Sequence, residues 1–329
     1  MPERRFGYVE ELRAAGLSAP DDTIMHFLWQ IIDEGVLGAS KHVALSMALM
    51  SHILDVSDRA EALARATIAA NFIGRTRGHD TPVIGNSLAL LLSGLDAVPA
   101  DEQPGLLRTR IETWGADAAE RKKKLVIKSA AHLSNARCVM AFDYSSTVSS
   151  IVIALAGQNI ELVVVVPESR TIRGGARYLE EFLPAGLSVR YLPDAAMEYG
   201  LNLCDAALFG VETLRADGSF LNTIGSRMIA RLALEQGVEV YGCTDLLKLD
   251  TRSYEGRRPD PAVRNYDRLL LNDLPAEWAG RVDTRAPELE VVPSVLVTAL
   301  LTEHGPVPPH AIWSLGREMF RPAGGAAER

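Results

Sequence analysis

VMAFDYSSTVSSIVIALAG, residues 139–157, opens as an apolar strand and closes as a helix. Between the two lie a carboxylate, Asp143, and the hydroxyls Ser145, Ser146 and Thr147. Apolar residues at helical spacing follow them. A strand that passes into a helix through small polar residues is a usual cradle for phosphate, because backbone N–H groups and the helix dipole both point at the anion. An acidic side chain at the mouth of such a cradle asks for an explanation.

Working outward, the same grammar repeats. Short apolar or β-branched runs recur at CVMAF (138–142), ELVVVVP (161–167), LSVRYL (187–192), DAALFGV (205–211) and VEVYGC (238–243). Helical patterns separate most of them, as in IRGGARYLEEFL and SRMIARLALEQG. Continuous rather than alternating apolar strands, interleaved with helices, predict a parallel sheet covered on both faces. No GxGxxG is present, so a dinucleotide is not indicated. Before residue 130 the text is helical: HFLWQIIDEGVLGASKHVALSMALMSHIL, RAEALARATIAANFIG and VIGNSLALLLSGL carry apolar residues three and four apart. LLRTRIETWGADAAERKKKLVIKSAAHL reads as one long helix, or as two with a break near Gly115. The chain is thus predicted to be α/β, with a helical domain over 1–130 and a Rossmann-like parallel-sheet domain over 131–329 that carries the site.

Composition narrows the function. The chain has 329 residues and a formal charge of -8, which argues against nucleic acid as the main partner. The RKKK run at 121–124 reads as a solvated helix face. No apolar run approaches the length of a membrane span, and MPERRFGYVEELR is not a secretory signal, so a cytoplasmic location is expected. Cys138, Cys204 and Cys243 show no CxxC spacing and read as buried reduced thiols. The seven His form neither HxH nor HExxH, so no metal and no cofactor is expected.

In open parallel sheets the ligand lies outside the carboxyl ends of the strands. The residues there are Asp143 and Ser145, then Glu168, Ser169, Arg170, Arg173 and Gly174, then Asp194, Glu212 and a loop ending at Lys248. Carboxylates, hydroxyls and cations on one rim suit a polar, anionic metabolite.

Longer segments carry a resemblance. VVVPESRTIRGGARYLEEFLPAGLSVRYLPDAA (164–196), GVETLRADGSFLNTIGSRMIARLA (210–233), VYGCTDLLKLD (240–250) and APELEVVPSVLVTALLTEHGPVPPHAI (286–312) resemble successive motifs of one family. It comprises the alpha, beta and delta subunits of translation initiation factor 2B, ribose-1,5-bisphosphate isomerase and methylthioribose-1-phosphate isomerase. In the helical half, LGASKHVALSMAL (37–49) and RTRGHDTPVIGNSL (75–88) resemble that family's RGA and RPT segments, the second with one extra residue. The resemblance implies a helical domain on a Rossmann-like one and a homodimer formed through the C-terminal half. It also implies a phosphorylated sugar as the small-molecule partner, with no nucleic acid and no membrane.

The isomerases are described with a catalytic Cys in the first strand–helix turn and a catalytic Asp in the GAD motif. Here those positions are Asp143 and Glu212, while the Lys of NK is Thr223 and the Arg of RGA is Leu37. Asp143 and Glu212 are therefore the candidate catalytic pair. Gly38, Ala39, Ser40, Arg77, Ser145, Arg170, Asn222, Thr223 and Lys248 are the candidate substrate-binding residues. Three functions stay open on these residues: an aldose–ketose isomerase with a carboxylate pair, a non-catalytic binding or regulatory protein, and another enzyme such as a lyase or epimerase. Asp143 has a plainer alternative too, as the N-cap of the helix after it. Glu290 and Glu303 read as structural.

Overall fold

A computed structural model describes residues 10–17, 20–33, 38–58, 61–159, 161–257, 261–278 and 280–320. The chain folds as two compact units. Of the described residues, those up to Glu120, Leu247–Leu249 and those from Arg317 onward form the first, and the rest form the second.

The first unit is helical: α1 (Asp22–Ile32), α2 (Ala39–Val56), α3 (Ala62–Arg75), α4 (Pro82–Leu92) and the opening turns of α5 (Gln103–His132). Each helix buries its apolar stripe in one core, which holds Ile24, Leu28, Met50, Ile53, Phe72, Ile84 and Leu88. Asp21 starts α1 by accepting from Ile24 N at 2.7 Å, and Pro82 opens α4, where a missing N–H costs nothing. Gly78, in the turn before α4, lies so close to Gly85 that a Cβ would sit 2.9 Å from Gly85 N, which explains the paired glycines.

α5 runs unbroken for 30 residues, without a break at Gly115. The units divide inside it, after Glu120, rather than at the 130/131 boundary read from the sequence. Periodicity marks where strands begin. Packing changes earlier, because Leu107 joins the helical core while Leu125 and Ala130 join the core of the sheet.

The second unit is built on β1 (Cys138–Phe142), β2 (Val163–Pro167), β3 (Ser188–Leu192), β4 (Ala206–Gly210), β5 (Thr213–Arg215), β6 (Phe220–Thr223) and β7 (Glu239–Cys243). It continues through β8 (Val263–Asn265), β9 (Arg285–Pro287), β10 (Leu289–Val292), β11 (Ala299–Thr302) and β12 (Gly305–Val307). The main sheet runs β12-β11-β7-β4-β1-β2-β3, parallel except for the β11–β12 hairpin. All five strands expected from the sequence are in it. Helices α6 (Ser146–Ala156), α7 (Gly174–Phe182), α8 (Met197–Leu201) and α9 (Ser226–Gln236) complete the alternation. Chain order runs outward from β1 through β2 to β3, then returns to the other side of β1 with β4. The topological switch point therefore lies between β1 and β4, where the doubly wound rule places a ligand. Beside the main sheet, β5, β6 and β10 pair antiparallel around the Asp217–Gly218 turn. That Asp-Gly pair is a hairpin signal which a motif reading of the stretch passes over.

Candidate active site at the ends of the first and fourth strands

All five residues of β1 are buried. Val139 and Ala141 face the core shared with α6 and α7, and Phe142 turns to the other face. There its ring lies 6.4 Å from that of Phe209, which lies 6.2 Å from Phe220. Phe142 pairs in register with Phe209, so Asp143 leaves β1 opposite Gly210, and Glu212 follows two residues later. Gly210 leaves room for the β1 turn, since a Cβ on it would lie 2.6 Å from Ser145 Cβ.

Asp143 has φ 55°, in the left-handed region. Asp tolerates that region better than most residues but still at a cost. The described residues with positive φ other than glycine are Asp143, Ser169 and Arg173, which lie in the turns after β1 and β2. Strain gathered at two adjacent strand ends, rather than scattered, is typical of a working site.

Tyr178 holds the turn from beneath. Its fully buried ring stacks on Phe182 with centroids 5.0 Å apart. Its hydroxyl donates to Asp143 O at 2.8 Å and accepts from Ser145 N at 3.1 Å. Ser145, not Asp143, caps α6, accepting from Val148 N at 3.4 Å. The Asp143 side chain is thereby left for other work. Only 6% exposed, it receives Ser169 Oγ on Oδ1 at 3.1 Å and a short hydrogen bond from Thr223 Oγ1 on Oδ2.

Burial pushes the Asp143 carboxyl above the usual Asp range. The bonds from Thr223, Tyr144 N and Ser169 and the charge of Arg177 oppose that rise without cancelling it. Arg177 stands 4.8 Å over the Tyr144 ring. Tyr144 donates to Glu181 at 2.5 Å, and Ser149 donates to the other Glu181 oxygen, which ties α6 to α7. Burial and Glu181 push the Tyr144 phenol up to about 12, so it remains a donor.

The remaining sheet-side candidates divide. Glu212 is half-buried and its N–H donates to Leu221 O at 2.9 Å. Thr223 touches Asp143 directly, whereas Asn222 donates to Ser226 Oγ at 3.0 Å. Arg170 is exposed, and its N–H, like that of Ser169, donates to Asp194 at 2.9 Å. Asp194 thus holds the loop after β2. Glu290 plays a comparable part on the other side. Its Oε1 accepts from Gly225 N at 2.6 Å and Arg227 N at 3.0 Å, closing the start of α9. Sequence reasoning missed Tyr178 and Glu181, because nothing in a helical pattern says which face meets a turn 35 residues away.

Glu303 is buried and accepts from Leu246 N through both oxygens at 3.3 Å. Burial raises its pKa from 4.5 to about 6. Because the folded value is raised, its contribution to stability is full below the unfolded pKa and is lost as pH rises through about 6. Glu303→Gln should match the native chain at low pH and be more stable by about 2 kcal/mol above pH 6, at about 1.4 kcal/mol per pH unit. Urea titrations from pH 4 to 8 check this.

The other candidates belong to the helical unit. Gly38, φ 110°, precedes α2, and Ala39 and Ser40 begin it. Arg77 opens a helical turn at Arg77–Asp80. Lys248, expected in the sheet domain, lies in Leu247–Leu249, which packs with the helical unit. Asn86 of α4 holds that segment, donating to Leu247 O at 2.7 Å and Leu249 O at 2.8 Å. Sequence order puts Lys248 with β7; the buried Leu247 side chain pulls it into the helical core instead. Leu37 lies outside the described residues.

Among the described residues, no group of three or more His, Cys, Asp or Glu is arranged to hold a metal ion. No helix among them is long and apolar enough to cross a membrane.

Fold and strand-end geometry define a doubly wound α/β unit joined to a helical one, with a strained, hydroxyl-ringed carboxylate at the switch point. The chain belongs to the Initiation factor 2 subunit family, whose pattern it matches over residues 41–309. It is 29% identical over 245 residues to ribose 1,5-bisphosphate isomerase of Haloterrigena turkmenica, covering 71% of this chain and 74% of that one. Matches to other proteins of that name span about half their length, for example 56% for that of Haloferax volcanii. Among solved structures, 5-methylthioribose 1-phosphate isomerase from Pyrococcus horikoshii OT3 superposes with a TM-score of 0.71 at 19% identity, over 90% of this chain and 88% of that one. The beta subunit of eIF2B from Chaetomium thermophilum gives 0.67 at 17%, over 94% of each chain. At these identities the two structures speak for the fold alone.

Proposed function

We propose that this chain is an aldose–ketose isomerase acting on a phosphorylated pentose or a related sugar phosphate, with Asp143 as the base and Glu212 as the acid. The observation that carries this reading is the Asp143 carboxyl itself. It is buried, held in a left-handed turn at the β1–β4 switch point, and hydrogen-bonded to Ser169 and Thr223. The named isomerase relatives support the substrate class.

The chemistry follows from what the reaction needs. After ring opening, a hydrogen must pass between adjacent carbons. A carboxylate takes the proton from one carbon and electron density moves toward the neighbouring oxygen, where an acid delivers a proton. Returning a proton to the neighbouring carbon, while the hydroxyl of the first carbon passes its proton back to the acid, completes the ketose and restores both carboxyls. Two carboxyls serve both roles when their surroundings separate their pKa values. Burial makes Asp143 a stronger base than a solvated Asp, and the Thr223 and Ser169 hydroxyls fix where its oxygens point. By the motif resemblance, Thr223 and Asp143 fall at the positions of the isomerases' Lys and Cys. The hydrogen bond between these two residues supports reading them together, as parts of one site.

One observation favours a second reading. A carboxylate with hydroxyl donors on both oxygens is also what a structural residue looks like, and a regulatory sugar-phosphate binder would keep it. The two readings part on product. Phosphorylated aldopentoses, ribose 1,5-bisphosphate included, should be converted to ketoses, as followed by NMR. Thermal stabilisation by the same compounds without conversion would favour the binder.

A further inference from the structure

At the opposite, amino ends of the same two strands, Cys138 Sγ and Cys204 Sγ lie 3.5 Å apart. Cys138 opens β1, and Cys204 stands two residues before β4. The backbone keeps them together. Asp205 N donates to Cys138 O at 2.8 Å, while the Asp205 carboxylate accepts from Arg137 N at 2.7 Å and Cys138 N at 3.0 Å. Gly200 O, 3.3 Å from Cys204 Sγ, is a second acceptor within reach of the single Cys204 S–H. The two residues are 9% and 8% exposed, too buried for a protein thiol to reach. The third thiol, Cys243, is 1% exposed on β7.

We propose that Cys138 and Cys204 form a redox-modifiable dithiol, which a hydroperoxide closes into a disulfide and a small dithiol reductant reopens. The sulfurs need only approach from 3.5 Å to the ~2 Å of a bond. The two thiols are not equivalent. The S–H of Cys204 donated to Cys138 favours the Cys138 thiolate, against the opposing pull of burial and of the Asp205 charge; Arg190 adds a small favourable charge. The same contact, with burial, pushes Cys204 up and keeps it protonated. The Cys138 thiolate attacks the peroxide. An S–O bond forms, the O–O bond breaks, and the departing alkoxide or hydroxide takes a proton from solvent. The Cys204 sulfur then attacks the Cys138 sulfenic acid. The S–S bond forms, the S–O bond breaks, and hydroxide leaves with the proton that Cys204 releases, as water. Two thiols are oxidised by two electrons and one hydroperoxide is reduced.

The test uses the full chain and hydrogen peroxide. The intact mass should fall by two hydrogens, peptide mapping should join Cys138 to Cys204, and dithiothreitol should reverse both. Cys243→Ala should behave the same way. Cys204→Ser should instead accumulate a sulfenic acid on Cys138 that a cyclic dione captures. Cys138→Ser should leave Cys204 at least about tenfold slower to oxidise, as expected for a thiol without thiolate character. No mass loss in the native chain, a bridge that uses Cys243 or joins two chains, or dione capture on Cys204 at the native rate in Cys138→Ser would overturn the proposal. The first of these readouts needs no variant, so a substitution that fails to fold leaves the test intact.

Discussion

Asp143→Asn is expected to lower kcat toward a phosphorylated aldopentose by about 10²–10⁴, the usual range for a lost general base, while affinity changes only a few-fold. Asn keeps the shape and can meet both neighbours, accepting from one hydroxyl and donating to the other, because Ser169 and Thr223 can each do either. What it loses is basicity. The same substitution should raise stability at neutral pH. The folded pKa of Asp143 is raised by burial, so its contribution is full below the unfolded Asp pKa and declines as pH rises through the folded value. Ionising this carboxyl in the folded chain therefore works against stability. The advantage of Asn should vanish in acid, where both side chains are neutral. Steady-state kinetics with urea titrations at pH 7 and pH 4 check both halves. A variant as active as the native chain removes the catalytic role, whatever its stability.

Gly174→Ala should be nearly as damaging by a different route. A Cβ on Gly174 would overlap the Asp143 carboxyl oxygen and come within 2.8 Å of Tyr144 N. The side chain of Asp143 can swing away, but the amide of Tyr144 cannot without moving the turn that Tyr178 holds. Overpacking of this kind costs roughly 1–3 kcal/mol. Moving the carboxyl out of its hydroxyl ring should also take turnover with it. Removing the carboxyl as well, in Gly174→Ala with Asp143→Ala, should return part of the stability, leaving only the clash with the amide. A double-mutant cycle read by thermal or urea unfolding measures that coupling. Additive losses would mean that Gly174 is needed for its own turn and not for Asp143.

Much of this is legible before the fold. Continuous apolar, β-branched runs such as VVVVP read as strands buried on both faces, and the shift from helical to strand–helix spacing announces two kinds of packing. Asp143 and Glu212 stand out because strand-end residues are few and the doubly wound rule says to look there. Other features depend on contacts between distant segments. The meeting of Cys138 with Cys204, 66 residues apart, has no spacing signal, and neither has the Tyr178 hydroxyl under the β1 turn. Chain order assigns Lys248 to the sheet, whereas its neighbour Leu247 is drawn into the helical core. Asp194 looks like a site carboxylate in the sequence. It holds backbone N–H groups instead, as Glu290 does, and alternation and burial patterns do not separate that role from chemistry.

The central claim is proton transfer by Asp143, and solvent isotope tests it most directly. The native chain would be incubated with a phosphorylated aldopentose in D₂O and the ketose examined by NMR. Transfer through a carboxyl exchanges its proton with solvent, so the product should carry deuterium on the carbon that gained hydrogen, and Asp143→Asn should form almost none of it. Ketose formed without solvent deuterium, and formed equally by Asp143→Asn, would show that hydrogen moves directly between the carbons and that Asp143 is scaffold.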